Sequence, residues 1–390
     1  MGSPDEDARD FHGQRLTALR EVFGLTQTAL AERIEVSQSF LSQVERGARP
    51  IPDALVVAAS GEFGLPVSFF SVPPTPLDVA QATFRKTARA GAKDEQRLLR
   101  LYNEAARLFR TVSEQSGYIE ANLPEPADYD HDPEAIARAM RRHAGLDDEA
   151  PVLNATRCLE RFGFGVVDRL DEHGHGGRGH TGISRPSRLT SRPLVALVED
   201  VPGAVKRLTV LHEAYHWIAD RDRCSPIAST RSPEEHHAFR FAAAFLLPEE
   251  VVRGRVSESL NLHGYLPIKA DYGISVGAII RRAHDLNVIS SQRYRSLSIQ
   301  LSSQGWRTDE PVEVADERPL LLSQALSQVY GSQPNARASH VLGLAPGWIH
   351  RWTHGGARDT IENSGAVIDF AAARRQGSRR EHASLGLSRY

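Results

Sequence analysis

The run His212-Glu213-Ala214-Tyr215-His216 limits what the centre of this chain can fold into. On an α-helix, residues four apart stack on one face, so His212 and His216 can point both imidazoles at one metal ion. The flanks meet that demand: Val205, Leu208, Leu211 and Tyr215 recur at steps of 3, 3 and 4, the spacing of a buried helix. Glu213 lies beside the pair and can hold a water on the metal. Zinc lowers the pKa of such a water towards neutrality, and Glu213 then takes its proton as general base. The alternative is a surface helix with two unrelated histidines. In a chain with 16 His and 49 acidic residues, chance supplies such a pattern roughly 0.08 times.

A third ligand is offered downstream. Ser232-Pro233-Glu234-Glu235 starts a helix, with Ser as N-cap and Pro at the first helical position. Its apolar face is Ala238, Phe241, Ala242 and Phe245. At about 100° per residue, Glu234 and Glu235 fall within roughly 60° of that face, His237 sits at its edge and His236 points away. The expected set is Zn2+ on His212, His216 and Glu235, with one position open and Glu213 as the catalytic base. Glu235 has a competing use, a capping box with Ser232.

At the other end of the chain, Thr26-Gln27 opens one helix that runs to Ile34, Val36-Ser37-Gln38 turns tightly, and Ser39 to Glu45 forms a second helix. Thr26 and Ser37 cap these helices, and Gly47 supplies the left-handed stop. Leu30, Ala31, Ile34, Phe40, Leu41 and Val44 are expected inside. Gln38, Ser39, Ser42 and Gln43 are left at the start and exposed face of the second helix, with Gln27 opening the first. Gln can read adenine edges in the major groove and Ser can serve phosphates. A helical protein-interaction domain of the same fold is the alternative.

Two resemblances follow. Residues from about Pro133 to Pro311 resemble the ImmA/IrrE family of zinc metallopeptidases. The carriers are Lys206 to His216, Glu235 to Pro248, and Tyr272 to Ser290. The family's second motif reads Glu-x-Gln/Glu-Ala-Asn-x-Phe-Ala-Ala, and its zinc-binding Glu falls on Glu235. Two positions depart: His237 replaces Gln or Glu and can itself compete for the metal, and Phe239 replaces Asn. The amino-terminal segment resembles the Xre/Cro group of helix-turn-helix regulators, through Thr26-Gln27, Leu30-Ala31, Ser37-Gln38, Leu41-Ser42, Val44-Glu45 and Gly47.

The length of 390 residues suggests two to three domains. The expected division is a DNA-binding head at 10–72, a linker and long helix at 73–125, a metallopeptidase-like body at 126–311, a helical region at 312–376 and a disordered tail at 377–390. The fold class is mainly α with a small β-sheet, α+β. Helices are expected at Pro133 to His143 and Ala155 to Phe162, with strands at Gly165-Val166-Val167 and Leu194 to Val198. Between them, the glycine-rich run His173 to His180 reads as a hairpin tip, and the sheet edge beside the histidine helix is where a peptide would add as a strand. Asp94 to Ile119 carries Leu98, Leu101, Ala105, Leu108, Val112 and Gln115 on one stripe; this face either pairs two copies or packs on its own body. Near the end, Ser339, Leu342, Leu344, Trp348, Ile349, Trp352 and Gly355 echo the apolar spacing of the head, as a second binding element or as core.

Net charge is −2, so DNA binding must be local to the head and not spread over a basic surface. Two cysteines, Cys158 and Cys224, fit a reducing cytoplasm, with Cys224 a small loop or core residue or a spare ligand. No apolar run approaches the roughly 18 residues of a membrane span, and Met1 to Asp10 is acidic without a signal-peptide core. The expectation is a cytoplasmic, homodimeric regulator that binds an inverted-repeat operator and uses a zinc endopeptidase site to cleave or sense a protein partner such as a repressor. The alternative is a regulator whose peptidase-like body only senses a ligand or partner.

Overall fold

The computed structural model describes residues 10–73, 83–86, 92–171, 180–223 and 232–354. The chain divides into two units, Met1–Gly355 and Gly356–Tyr390. That second segment, with the expected tail at 377–390, lies outside the described residues, as do Pro74 to Pro76, the glycine run from 173 to 179, and Cys224.

The head is built from α1 (Gln14–Val22), α2 (Gln27–Arg33), α3 (Gln38–Glu45) and α4 (Asp53–Phe63). Thr26 accepts from the Ala29 N–H at 3.1 Å and Ser37 from the Phe40 N–H at 3.2 Å, so both caps form as their residue types dictate. Gly47 takes a φ of +71° after α3. Leu30, Ala31, Ile34, Leu41 and Val44 are buried. Phe40 departs from expectation: it lies on the first turn of α3, is only half-buried, and its ring carries the Arg49 guanidinium.

A 3-10 turn, Val67–Ser71, sets Phe69 and Phe70 inside at the end of the head. The long helix α5 (Ala92–Gln115) then buries Leu98, Leu101, Ala105, Leu108 and Val112 within the chain itself. Of the two uses the sequence left open for this stripe, packing on its own body is the one observed; Gln115 falls off the stripe and is exposed. The polar side of α5 grips the head: Arg100 pairs with Glu21 at 2.8 Å, Arg97 donates to the Val22 carbonyl at 2.9 Å, and Glu104 pairs with Arg15 at 2.7 Å.

The sheet has four strands, β1 (Thr83–Lys86), β2 (Gly165–Val167), β3 (His180–Ser184) and β4 (Leu194–Leu197), in the order β1-β3-β4-β2. β3 is antiparallel to both neighbours, while β2 and β4 run parallel. The sequence pointed to β2 and β4 but not to β1 or β3. The sequence placed a peptide along a sheet edge beside the histidine helix without naming a strand; β1 pairs with β3 there, with Phe84 opposite Ile183.

The body packs α6 (Pro133–His143), α7 (Ala155–Arg161), α8 (Gly203–Ala219), α9 (Pro233–Leu246), α10 (Glu249–Arg255), α11 (Leu266–Tyr272), α12 (Val276–Asp285) and α13 (Ser291–Ser303) around one hydrophobic core. Helix α8 is buried almost throughout, including Lys206 and Arg207. Such charges survive inside only with partners. Lys206 meets Asp168 at 2.6 Å and Asp316, and Arg207 meets Glu317 and the Val152 carbonyl. The Glu317 carboxylate also accepts from the Ala155 and Thr156 N–H groups at the start of α7. In return, Glu160 of α7 accepts from Leu320 and Leu321 at the start of α14 (Leu321–Tyr330).

The last helices, α15 (Pro334–Leu342) and α16 (Pro346–His354), reach back to the head. Trp348 meets the Phe69 ring, Ser68 Oγ donates to the His340 carbonyl at 2.6 Å, and Trp352 Nε1 donates to the Leu170 carbonyl. Both tryptophans are buried, so the echo of the head is used here as core. No helix among the described residues is long and apolar enough to cross a membrane.

Candidate metal centre and helix-turn-helix face

Helix α8 brings His212 and His216 onto one face, and the first turn of α9 delivers Glu235 against them. The two Nε2 atoms are 3.2 Å apart, and the Glu235 oxygens lie 3.3 Å from His212 Nε2 and 3.4 Å from His216 Nε2. Among the described residues, these three form a group able to hold a metal ion. Ligands at zinc bond lengths in a tetrahedron stand about 3.3 Å from one another, so the donor spacing fits that ion. His216 Nδ1 meets Asp220 Oδ2 at 2.6 Å, which fixes the proton on Nδ1 and turns the Nε2 lone pair towards the other donors.

The electrostatics point the same way. Burial pushes His216 down, but the Asp220 hydrogen bond, Glu235 and Glu213 outweigh it and raise the imidazole to about 10. Burial pushes Glu235 up, yet its hydrogen bonds to His212 and His216 hold it at about 2. Three carboxylates thus surround two imidazoles inside the protein, and the cluster calls for added positive charge, as protons or as a cation.

Helical spacing put both Glu234 and Glu235 near the apolar face, and Glu235 was the one expected as ligand. Glu234 turns out to Arg223 at 2.8 Å, and Glu235 turns in. Half of the capping box forms as well, because Ser232 Oγ accepts from the Glu235 N–H at 3.3 Å while the Glu235 side chain faces the histidines. His237 is half-buried and not among the gathered donors, and Phe239 lays its ring against His212 with centroids 4.6 Å apart. Tyr215 is buried with its ring beside Phe241.

Glu213 is not one of the gathered donors. Ser184 Oγ of β3 donates to its Oε2 at 2.6 Å. Gly182 makes this approach possible, since a Cβ there would stand 2.6 Å from Thr209 Cγ2 and 2.9 Å from Glu213 Oε1. His212, Glu213, His216 and Glu235 are each no more than 1 % exposed, so the cluster is closed to solvent.

On the head, Gln38 and Ser39 are exposed at the start of α3, with Ser42 and Gln43 half-buried along it. Gln38 donates to Gln27, Gln27 donates to Glu45 at 2.7 Å, and Glu45 pairs with Arg20 at 3.2 Å. Arg46 at the end of α3 and Arg49 beside Phe40 are exposed and were not among the residues the sequence singled out.

Residues 13–61 match the helix-turn-helix domain family, and residues 164–284 match the family described as an IrrE N-terminal-like domain. The HTH-type transcriptional regulator PrpR of Mycobacterium tuberculosis is 39 % identical over 64 residues, 16 % of this chain and 13 % of that protein. RamB, an HTH-type transcriptional regulator of the same organism, is 34 % identical over 64 residues, 16 % of this chain and 14 % of its own. The propionyl-CoA carboxylase regulator of Cereibacter sphaeroides is 40 % identical over 58 residues, 15 % of this chain and 13 % of that protein. The chain therefore spans about one seventh of the length of the curated relatives it matches. No solved structure gives a significant match. The chain thus carries a helix-turn-helix domain followed by an IrrE N-terminal-like domain.

Proposed function

We propose that this chain is a cytoplasmic DNA-binding transcriptional regulator whose body holds zinc on His212, His216 and Glu235 and uses that centre to cleave or sense a protein partner. The observation that carries the reading is the donor triangle of 3.2–3.4 Å whose free lone pair on His216 is set by Asp220. When bound, zinc supplies Lewis acidity for a peptide carbonyl and for the attacking water. Glu213 takes the proton of that water, and Ser184 fixes its carboxylate against β3. Asp220 holds the proton on His216 Nδ1 throughout. An extended peptide would lie along β3, so β1 must leave that edge first. The head reads an operator through Gln38, Ser39, Ser42 and Gln43, supported by Gln27. An inverted repeat bound by a homodimer doubles the few contacts one head can make.

A second reading is favoured by a specific observation: the cluster is closed, and β1 fills the edge a substrate needs. On that reading the body binds zinc but only senses a ligand or partner. Metal analysis followed by a cleavage assay on candidate repressors separates the two. Protein prepared without chelator should carry about one zinc per chain, and His216→Ala should lose most of it. Glu213→Gln should keep the zinc and abolish cleavage. Absence of zinc in the wild type would sink the centre, while zinc without cleavage of any partner would select the sensing role.

A further inference from the structure

A cleft lies at the joint between head and body, and none of His212, Glu213, His216 and Glu235 lines it. Its walls are the start of α1, the end of the head at Val72 and Pro73, the middle of α5, and the loop that follows β3. The cleft is partly open to solvent and its enclosed part is small, room for a group the size of a phosphate or carboxylate and not for a macromolecule.

The lining is strongly cationic. Arg15, Arg107, Arg110, Arg185 and Arg192 face it, against one carboxylate, Glu104. Glu104 is already shared by Arg15 and Arg107, each at 2.7 Å. Arg192 donates to the Tyr118 and Ile119 carbonyls, and its nearest carboxylate, the exposed Glu120, stands off at 3.8 Å. Arg110 makes no ion pair among the described residues. Arg15 Nη2 and Arg192 Nε are buried without a hydrogen-bond partner among those residues, although both side chains are more than nine-tenths buried. A buried excess of guanidinium charge is costly unless an anion meets it.

We propose that this cleft is a binding site for a small anion, held through phosphate or carboxylate groups by Arg110, Arg192 and Arg15. The planar forks of arginine suit both groups, which accept two parallel N–H bonds. Arg15 belongs to the head and Arg192 to the body, so an occupant would be held by both. The site gives the sensing reading a ligand class and a place. It uses none of the cluster residues and stands or falls without zinc.

The test is calorimetric titration of the full chain with inorganic pyrophosphate and, separately, with citrate, at near-physiological salt. One of the two should bind with a stoichiometry near one, and the preferred probe tells phosphate from carboxylate chemistry. Arg110→Ala removes a side chain with no structural bond, so its melting temperature should match the wild type. Its affinity for the preferred probe should fall about tenfold or more. Arg337→Ala, an exposed control elsewhere, should bind as the wild type does. No binding of either probe at millimolar concentration overturns the proposal. So does equal affinity in wild type and Arg110→Ala, or an equal loss in both variants, which would mark diffuse attraction to surface charge.

Discussion

Asp220 decides which nitrogen of His216 is available. Its 2.6 Å contact with Nδ1 leaves Nε2 as the acceptor atom, so a short aspartate one turn beyond the second histidine sets the donor geometry of the whole cluster. Partners of this kind are worth about 10–100-fold in metal affinity. Asp220→Ala should therefore weaken zinc binding by that factor, measured by competition with a chelating dye, while leaving the fold intact. Wild-type affinity in that variant would mean that His216 is oriented by packing alone. The donors themselves were legible, because a spacing of four on a helix and a Ser-Pro helix start are local patterns. Asp220 is the next residue on that face by the same rule, but the sequence reading did not single it out. Ser184 was not: it reaches Glu213 from a strand 29 residues earlier, and no local period joins the two.

The helix-turn-helix pair is the element most fully written in its sequence, since caps, turn glycine and apolar spacing are all short-range. The exception, Phe40, shows where such reasoning ends, because apolar spacing put its ring inside while the structure leaves it half-buried beside Arg49. Gln38 and Gln43 lie outside the packed side of α3, which Leu41 and Val44 hold. Changing both glutamines to Ala should keep the melting temperature and remove sequence discrimination, at roughly 1–3 kcal/mol per lost base contact. A shift assay at fixed salt checks this; equal preference for specific DNA in both proteins would remove α3 from base reading. The sheet lies at the other extreme. β1 and β3 have four and five residues, neither with a clear alternation, and each forms a strand only because the other and β4 are there to pair with. Tertiary pairing of that kind leaves little trace in a single sequence.

At the scale of the molecule, head and body are joined by charge as well as by apolar packing. Glu104 sits between Arg15 of the head and Arg107 of its own helix. Burial would raise its carboxyl, but the two guanidinium charges and their hydrogen bonds win and hold it at about 2. In the unfolded chain a Glu titrates near 4.3. The folded value is the lower one, so this contribution is complete above about pH 4.3 and is lost as pH falls towards 2. Glu104→Gln should destabilise the protein at neutral pH by about 3–5 kcal/mol, since it leaves buried cations without their counter-charge. The gap between wild type and variant in urea melts should narrow as pH falls from 5 to 2. A constant gap over that range would show that the carboxylate's charge contributes nothing to the joint.

The docking of the last helices on the head also imposes an order in time. Ser68 and His340, which are hydrogen-bonded, are 272 residues apart in the chain. At a synthesis rate of about 5–20 residues per second, the head leaves the ribosome roughly 15–55 s before the surface that covers Phe69 exists. During that interval Phe69 has no Trp348 to meet, and Arg15 must wait for α5. The newly made head therefore has its later contacts bare. The contacts that the last helices make with the head form only after α15 and α16 have been made, well after those of α5.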